Sequence, residues 1–122
     1  MKEVSEMLFK YFTSLEVFKN EMKDKLYPLY VSNQKEFPFA VYNIGEVPYL
    51  TKDARSFPVT LSLCYQPEKY SEALDFADKM KDAVEDIDEF VEECGVEYMS
   101  TQTLFDEENE YVYVSINFNV IK

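Results

Sequence analysis

The most constraining stretch of this sequence is Tyr111 to Ile121, where Val112, Val114, Ile116, Phe118 and Val120 alternate with Tyr111, Tyr113, Ser115, Asn117 and Asn119. Successive side chains of a strand point to opposite faces, so this period of two predicts a strand with one apolar face. Such a strand needs neighbours for its backbone and a layer to cover its apolar side. Phe57 to Tyr65 supplies a matching neighbour, with Val59, Leu61, Leu63 and Tyr65 on one face and Thr60, Ser62 and Cys64 on the other. Val96 to Phe105 predicts a third strand, joined to the last by the polar tip Asp106-Glu107-Glu108-Asn109-Glu110, which reads as a hairpin loop. Phe37 to Ile44 is β-branched and aromatic and ends at Gly45, predicting a strand that begins near Pro38, at a strand end or edge.

The covering layer is also legible. Val4, Met7, Leu8, Tyr11, Phe12, Leu15, Phe18 and Met22 fall at steps of three and four, predicting one amphipathic helix from Val4 to Met22. Asp24 to Tyr30, closed by Pro28, reads as an extended connection. After the break Gln66-Pro67-Glu68-Lys69, Ser71 is placed to cap a second helix with Glu72 and Asp75 in its first turn. Its stripe is Ala73, Phe76, Ala77, Met80, Ala83, Val84 and Ile87, with one last turn and a loop ending by Gly95. Phe9, Phe12, Phe18, Phe76 and Phe118 are the expected core aromatics. The expected fold class is therefore α+β, residues 1–122 forming a single domain in the order α-β-β-α-β-β. A mostly antiparallel four-stranded sheet carries two helices packed on it. Hydrophobic residues make up 47 % of the 122, enough for one compact core and far from a disordered composition.

Charge separates the chain into halves. Residues 1–61 hold 8 basic and 8 acidic side chains, whereas residues 62–122 hold 4 and 16, which accounts for the whole net charge of −12. Nucleic acid and anionic lipid are both bound through lysine and arginine, so neither is an expected partner of the acidic half. No apolar run approaches the roughly 20 residues that cross a bilayer, and Met1-Lys2-Glu3-Val4-Ser5-Glu6 alternates charge where a secretory signal has a basic start and an apolar run. A soluble intracellular protein with no membrane partner is expected, with Cys64 and Cys94 as free thiols.

Catalytic patterns are missing in a systematic way. A chain without histidine lacks the usual base of a nucleophilic triad, and glycine at positions 45 and 95 alone cannot write a phosphate-binding loop or a dinucleotide fingerprint. Two cysteines without histidine do not make a zinc site, and the carboxylate spacing misses the calcium-loop pattern. The clusters Glu85-Asp86-Asp88-Glu89-Glu92-Glu93 and Asp106-Glu107-Glu108-Glu110 lie in hydrophilic stretches and read as solvated surface. The expectation is a protein that is not an enzyme and that uses neither metal nor cofactor.

Candidate contact residues come from two places. The segment of residues 45–57 is long for a hairpin turn and carries Val47, Tyr49, Leu50 and Arg55; its apolar groups either dock on a partner or fold back over the chain's own sheet. Tyr111 and Tyr113 stand on the polar face of the last strand, as cross-strand cover or as half of an assembly contact.

The order of these elements, with Leu26-Tyr27-Pro28 leading into Phe37-Pro38-Phe39-Ala40-Val41-Tyr42, a long loop containing Arg55, the strand Val59 to Tyr65, the helix Ser71 to Ile87 and the closing strand Tyr111 to Ile121, resembles the phage tail-completion family of tail terminators and minor tail proteins. The resemblance implies a structural subunit of a homo-oligomeric ring, usually a hexamer, that caps the tail tube and receives the head connector. It implies a place in the virion tail, with assembly in the host bacterial cytoplasm. Its partners would be further copies of itself, a tail-tube protein and a head-connector protein, with DNA passing through unbound. In that setting Asp82, Glu85, Asp86, Glu89 and Glu93 are candidates for an acidic channel face, repelling DNA over a screening length of about 8 Å. The same charge also fits a different class of protein, an acidic DNA mimic or inhibitor that fills the basic groove of a nucleic-acid-binding partner.

Overall fold

The computed structural model describes residues 1–28, 36–47 and 55–122. The two long alternating segments form its central pair, β3 (Ser56–Tyr65) and β5 (Tyr111–Ile121), antiparallel along their full length with Leu63 opposite Val114 and Leu61 opposite Ile116. On one side β3 pairs with β2 (Phe39–Ile44), and on the other β5 pairs with β4 (Gly95–Asp106) through the expected hairpin. A further strand, β1 (Leu26–Pro28), lies parallel to β2, with Leu26 opposite Ala40. The sheet is thus five-stranded and mixed, in the order β1-β2-β3-β5-β4, and not the four-stranded antiparallel sheet expected. Three residues are too few for a periodicity to show, which is why Leu26–Pro28 reads as a connection in the sequence.

The helical layer also differs from expectation. The first helix is two, α1 (Lys2–Ser14) and α2 (Glu16–Met22), separated by Leu15 in extended geometry at φ −75 and ψ 130. Thr13 and Ser14 donate their hydroxyls to the carbonyls of Phe9 and Tyr11 at 2.6 and 2.7 Å, local bonds that compete with helix propagation. The apolar spacing runs through the break because Phe18 and Met22 of α2 still reach the core. Phe9 does not: it is 41 % exposed, since a step of about 100° from Leu8 carries it off the buried stripe of Val4, Leu8, Tyr11 and Phe12.

The second expected helix has its cap two residues earlier than expected. After a 3-10 turn at Pro67–Lys69, α3 (Tyr70–Glu85) takes Lys69 at its cap position, so Ser71 lies inside the first turn and makes no capping bond. Asp86, at φ −89 and ψ 0, ends α3, and a short α4 (Ile87–Phe90) follows. Among the described residues there are therefore four α-helices where two were expected.

All four helices lie on the face of the sheet that carries Val59, Leu61, Leu63, Val114, Ile116 and Phe118. Together with Phe12, Phe18, Phe76 and Met80 these residues form one continuous buried cluster. Phe12 meets Phe118 edge-on at 6.5 Å, and Phe18 meets Phe76 at 6.3 Å. Three hydrogen bonds tie the elements together: Tyr65 donates to Glu21 Oε2 at 2.6 Å and Ser5 and Tyr42 share a bond at 3.0 Å, joining sheet to helices, while Tyr11 donates to the Ala83 carbonyl at 2.6 Å, joining α1 to α3. Among the described residues no buried side-chain nitrogen or oxygen lacks a partner.

Candidate assembly surfaces

Because strand side chains alternate, the face of the sheet turned away from the helices is built from Phe39, Val41 and Asn43 of β2, Thr60, Ser62 and Cys64 of β3, and Tyr111 to Asn119 of β5 in alternation. Its centre is a row of cross-strand hydrogen bonds. Thr60 Oγ1 donates to Asn117 Oδ1 at 2.8 Å, Asn117 Nδ2 donates to Ser100 Oγ at 3.2 Å, and Ser62 and Ser115 share a bond at 3.1 Å. Asn119 Nδ2 reaches Glu97 Oε1 at 3.4 Å.

At the Tyr65 end of the sheet the polar row gives way to aromatics. Tyr111 lies 5.7 Å from Phe37, 6.3 Å from Phe39 and 5.9 Å from Tyr113, while Phe39 also meets Phe37 at 5.3 Å and Tyr27 at 6.4 Å. Tyr111 and Tyr113 are therefore both cross-strand cover and the outer wall of an aromatic cluster that remains half-buried. The cluster shields Cys64, which sits in register between Phe39 and Tyr113 and whose thiol burial pushes up to about 12. The Tyr111 hydroxyl is likewise pushed up to about 12, chiefly by burial, with the neighbouring Cys64 and Asp106 adding to it. Sequence reading finds Tyr111 and Tyr113 but misses Tyr27, Phe37 and Phe39. The available signal is that Phe39 alternates with Ala40 and so must face away from the helices.

The other candidate contacts stand at the opposite end. Val47, 38 % exposed, donates its N–H to the Ser56 carbonyl at 3.1 Å, and Arg55 and Lys122 exchange backbone bonds of 3.0 Å, so the root of the long loop extends the sheet. The Arg55 guanidinium stands 3.8 Å from Glu46. Tyr49 and Leu50 lie outside the described residues. With about 3.3 Å per strand residue, the length of β3 sets Val47 and Arg55 roughly 30 Å from Tyr111 and Tyr113. These four do not form one surface.

The acidic candidates occupy the helical layer, on the other side of the molecule from the polar row. Asp82, Glu85, Asp86, Glu89 and Glu93 are all exposed, along the last turns of α3, α4 and the segment entering β4. Residues 70–94 carry ten carboxylates against Lys79 and Lys81. Lys81 is held 4.0 Å from Glu85 and 4.7 Å from the Tyr98 ring centre. The field of this cluster is felt at Tyr11, whose hydroxyl is pushed up to about 12 by burial first and then by Asp86, Glu89 and Asp88. Beside Tyr11, at 6.3 Å, lies Phe90, which is 70 % exposed within the acidic surroundings.

Other features offer less chemistry. An open hollow of about 280 Å³ between α2 and α3 is lined by Glu21, Glu72, Asp75 and Lys79 with Val17, Asn20 and Phe76. Its Glu21 is already engaged by Tyr65. Among the described residues no three histidine, cysteine, aspartate or glutamate side chains converge as metal ligands, and no helix is long and apolar enough to cross a membrane. Cys64 and Cys94 are both free and buried.

These elements define an α+β domain with a mixed sheet covered by helices on one face and, among the described residues, open on the other. Neither a protein-family model nor a curated protein matches the sequence. Among solved structures, the fold is similar to that of a chain from the virion of a native gene transfer agent particle, with a TM-score of 0.70 over 93 % of this chain and 90 % of that chain. Sequence identity between the two is 10 %, so what they share is the fold.

Proposed function

We propose that this chain is a structural subunit of a phage-like particle and, more narrowly, a tail-completion protein. It closes with copies of itself into a ring, a hexamer, that caps the tail tube and joins it to the head connector, through contacts alone and without catalysis. The observation that carries this reading is the likeness of fold, over nearly the full length of both chains, to a component of the gene transfer agent virion. The surfaces support it. A ring needs two unlike patches on each subunit that meet head to tail. The aromatic cluster around Tyr111 and Tyr113 and the loop root at Val47 and Arg55 are unlike, and they stand at opposite ends of one sheet. The exposed carboxylates Asp82, Glu85, Asp86, Glu89 and Glu93 suit a passage through which DNA slides without sticking. Its place is then the virion tail, after assembly in the bacterial cytoplasm.

Native mass measurement of the purified protein, alone and mixed with tail tubes from the same particle, tests this. Expected are rings, alone or on tube ends, that are lost in Tyr111→Ser/Tyr113→Ser and in Arg55→Glu while the variants stay folded. The acidic helical surface also favours a second reading, a DNA mimic. A monomer that ignores tubes and connectors but binds tightly to a basic nucleic-acid-binding protein would replace the first reading with this one.

A further inference from the structure

The two edges of the sheet are treated differently. At one edge β1 is three residues long, its Leu26 N–H is taken by the Asp24 carbonyl at 3.0 Å, and Pro28 has no N–H to give. That edge is blunted in the manner usual for exposed strands. At the other edge β4 is twelve residues long, and among the described residues nothing pairs with its outer side. Tyr98 to Phe105 holds eight residues without a charge or a proline, in a chain of which 30 % of residues are charged. From Thr101 onward both of its faces are exposed, with Leu104 and Phe105 46 % and 53 % open to solvent. The bulge at Met99 interrupts the start of this run, and from Ser100 to Asp106 the pairing with β5 is regular.

We infer that the outer edge of β4, from Tyr98 to Phe105, receives an extended segment of a different protein as a sixth strand, and that this segment is uncharged in its middle and basic at its ends. An unpaired row of backbone N–H and C=O groups is satisfied by another extended chain, with alternate side chains beside Leu104 on the open face and Phe105 on the helical face. The charge requirement comes from what brackets the run: Glu97 before it, Asp106, Glu107, Glu108 and Glu110 after it, and no lysine or arginine anywhere in residues 82–121. The same acids disfavour a second copy of β4. Antiparallel self-pairing centred on Gln102 brings Glu97 of each copy against Asp106 and Glu107 of the other, and facing like charges are destabilising. Among the described residues the chain's own β1 edge does not serve either, since Leu26 and Pro28 present no free N–H outward.

The inference does not depend on the ring and is tested without it. The probe is an alternating valine–threonine peptide of eight residues with two lysines at each end, added to the intact protein and followed by amide hydrogen exchange. At millimolar peptide we expect protection of outward amides confined to residues 98–105, weakened at least tenfold when alternate peptide nitrogens are methylated and weakened by added salt. Lack of protection, protection elsewhere, or equal binding of a glutamate-ended peptide overturns the proposal. Protection of residues 98–105 that grows with protein concentration in the absence of peptide overturns the choice of occupant in favour of a second copy.

Discussion

Tyr65, at the end of β3, donates a 2.6 Å hydrogen bond to Glu21 Oε2, so that the strand is tied to α2 through the core side of the sheet. Burial, followed by this bond, holds the phenol proton well above its ordinary range. A hydrogen bond to a charged acceptor contributes about 1.5–3 kcal/mol, and the partial exposure of Glu21 places this one at the lower end. Tyr65→Phe should lower the unfolding free energy by about 1.5 kcal/mol in urea titrations at neutral pH. An unchanged midpoint would show that the carboxylate turns to water at no cost.

Alkaline pH should destabilise the fold. Cys64, Tyr11 and Tyr111 all keep their protons to about 12, whereas in the unfolded chain the thiol titrates near 9.0 and the phenols near 10.0. Between those values the unfolded chain has lost protons that the folded chain retains, so stability is full below about pH 9 and declines as pH rises toward 12. Urea midpoints at pH 8, 10 and 11 should fall in that order, and Cys64→Ala should delay the onset. A flat profile through pH 11 would contradict the burial of these groups.

The acidic helical surface predicts the opposite response to salt. Asp86, Asp88, Glu89, Glu92 and Glu93 crowd one short stretch, and screening shortens their repulsion from about 10 Å at 0.1 M to about 3 Å at 1 M salt. The thermal midpoint should therefore rise with sodium chloride. Glu89→Lys should reproduce part of the gain at low salt, by a few tenths of a kcal/mol. If the variant and the wild type respond to salt identically, the cluster is not the source.

The row on the open face makes a sharper test of geometry. Thr60 and Asn117 should couple by about 1 kcal/mol in a double-mutant cycle of Thr60→Val and Asn117→Ala, because each single change leaves the other side chain without its 2.8 Å partner. Additive single effects would mean that the bond is replaced by water without loss.

What the sequence makes legible follows from how local the signal is. The faces of β3 and β5 are written in their own alternation and come out as read, down to Tyr111 and Tyr113 on the open side; the stripe of α3 does so as far as Val84, Ile87 falling in α4. The break at Leu15 is hidden because the apolar period survives it, although Thr13 and Ser14 carry the chemistry that causes it. Phe9 is misassigned because an aromatic next to a core position looks like core until its angle around the helix is counted. The aromatic cluster requires Phe37 and Phe39 to meet a strand more than seventy positions later, and no local pattern encodes that pairing. The open edge of β4 is visible in the sequence as a charge-free run, but it becomes meaningful only once the strand order places that run at the border of the sheet.

The bonded row of Thr60, Asn117, Ser100, Ser62 and Ser115 has a consequence for how this face meets water. Polar groups that already bond one another lose less on leaving water than unpaired ones, so this face is stable in water and would be dried at a lower cost than a row of unpaired polar groups.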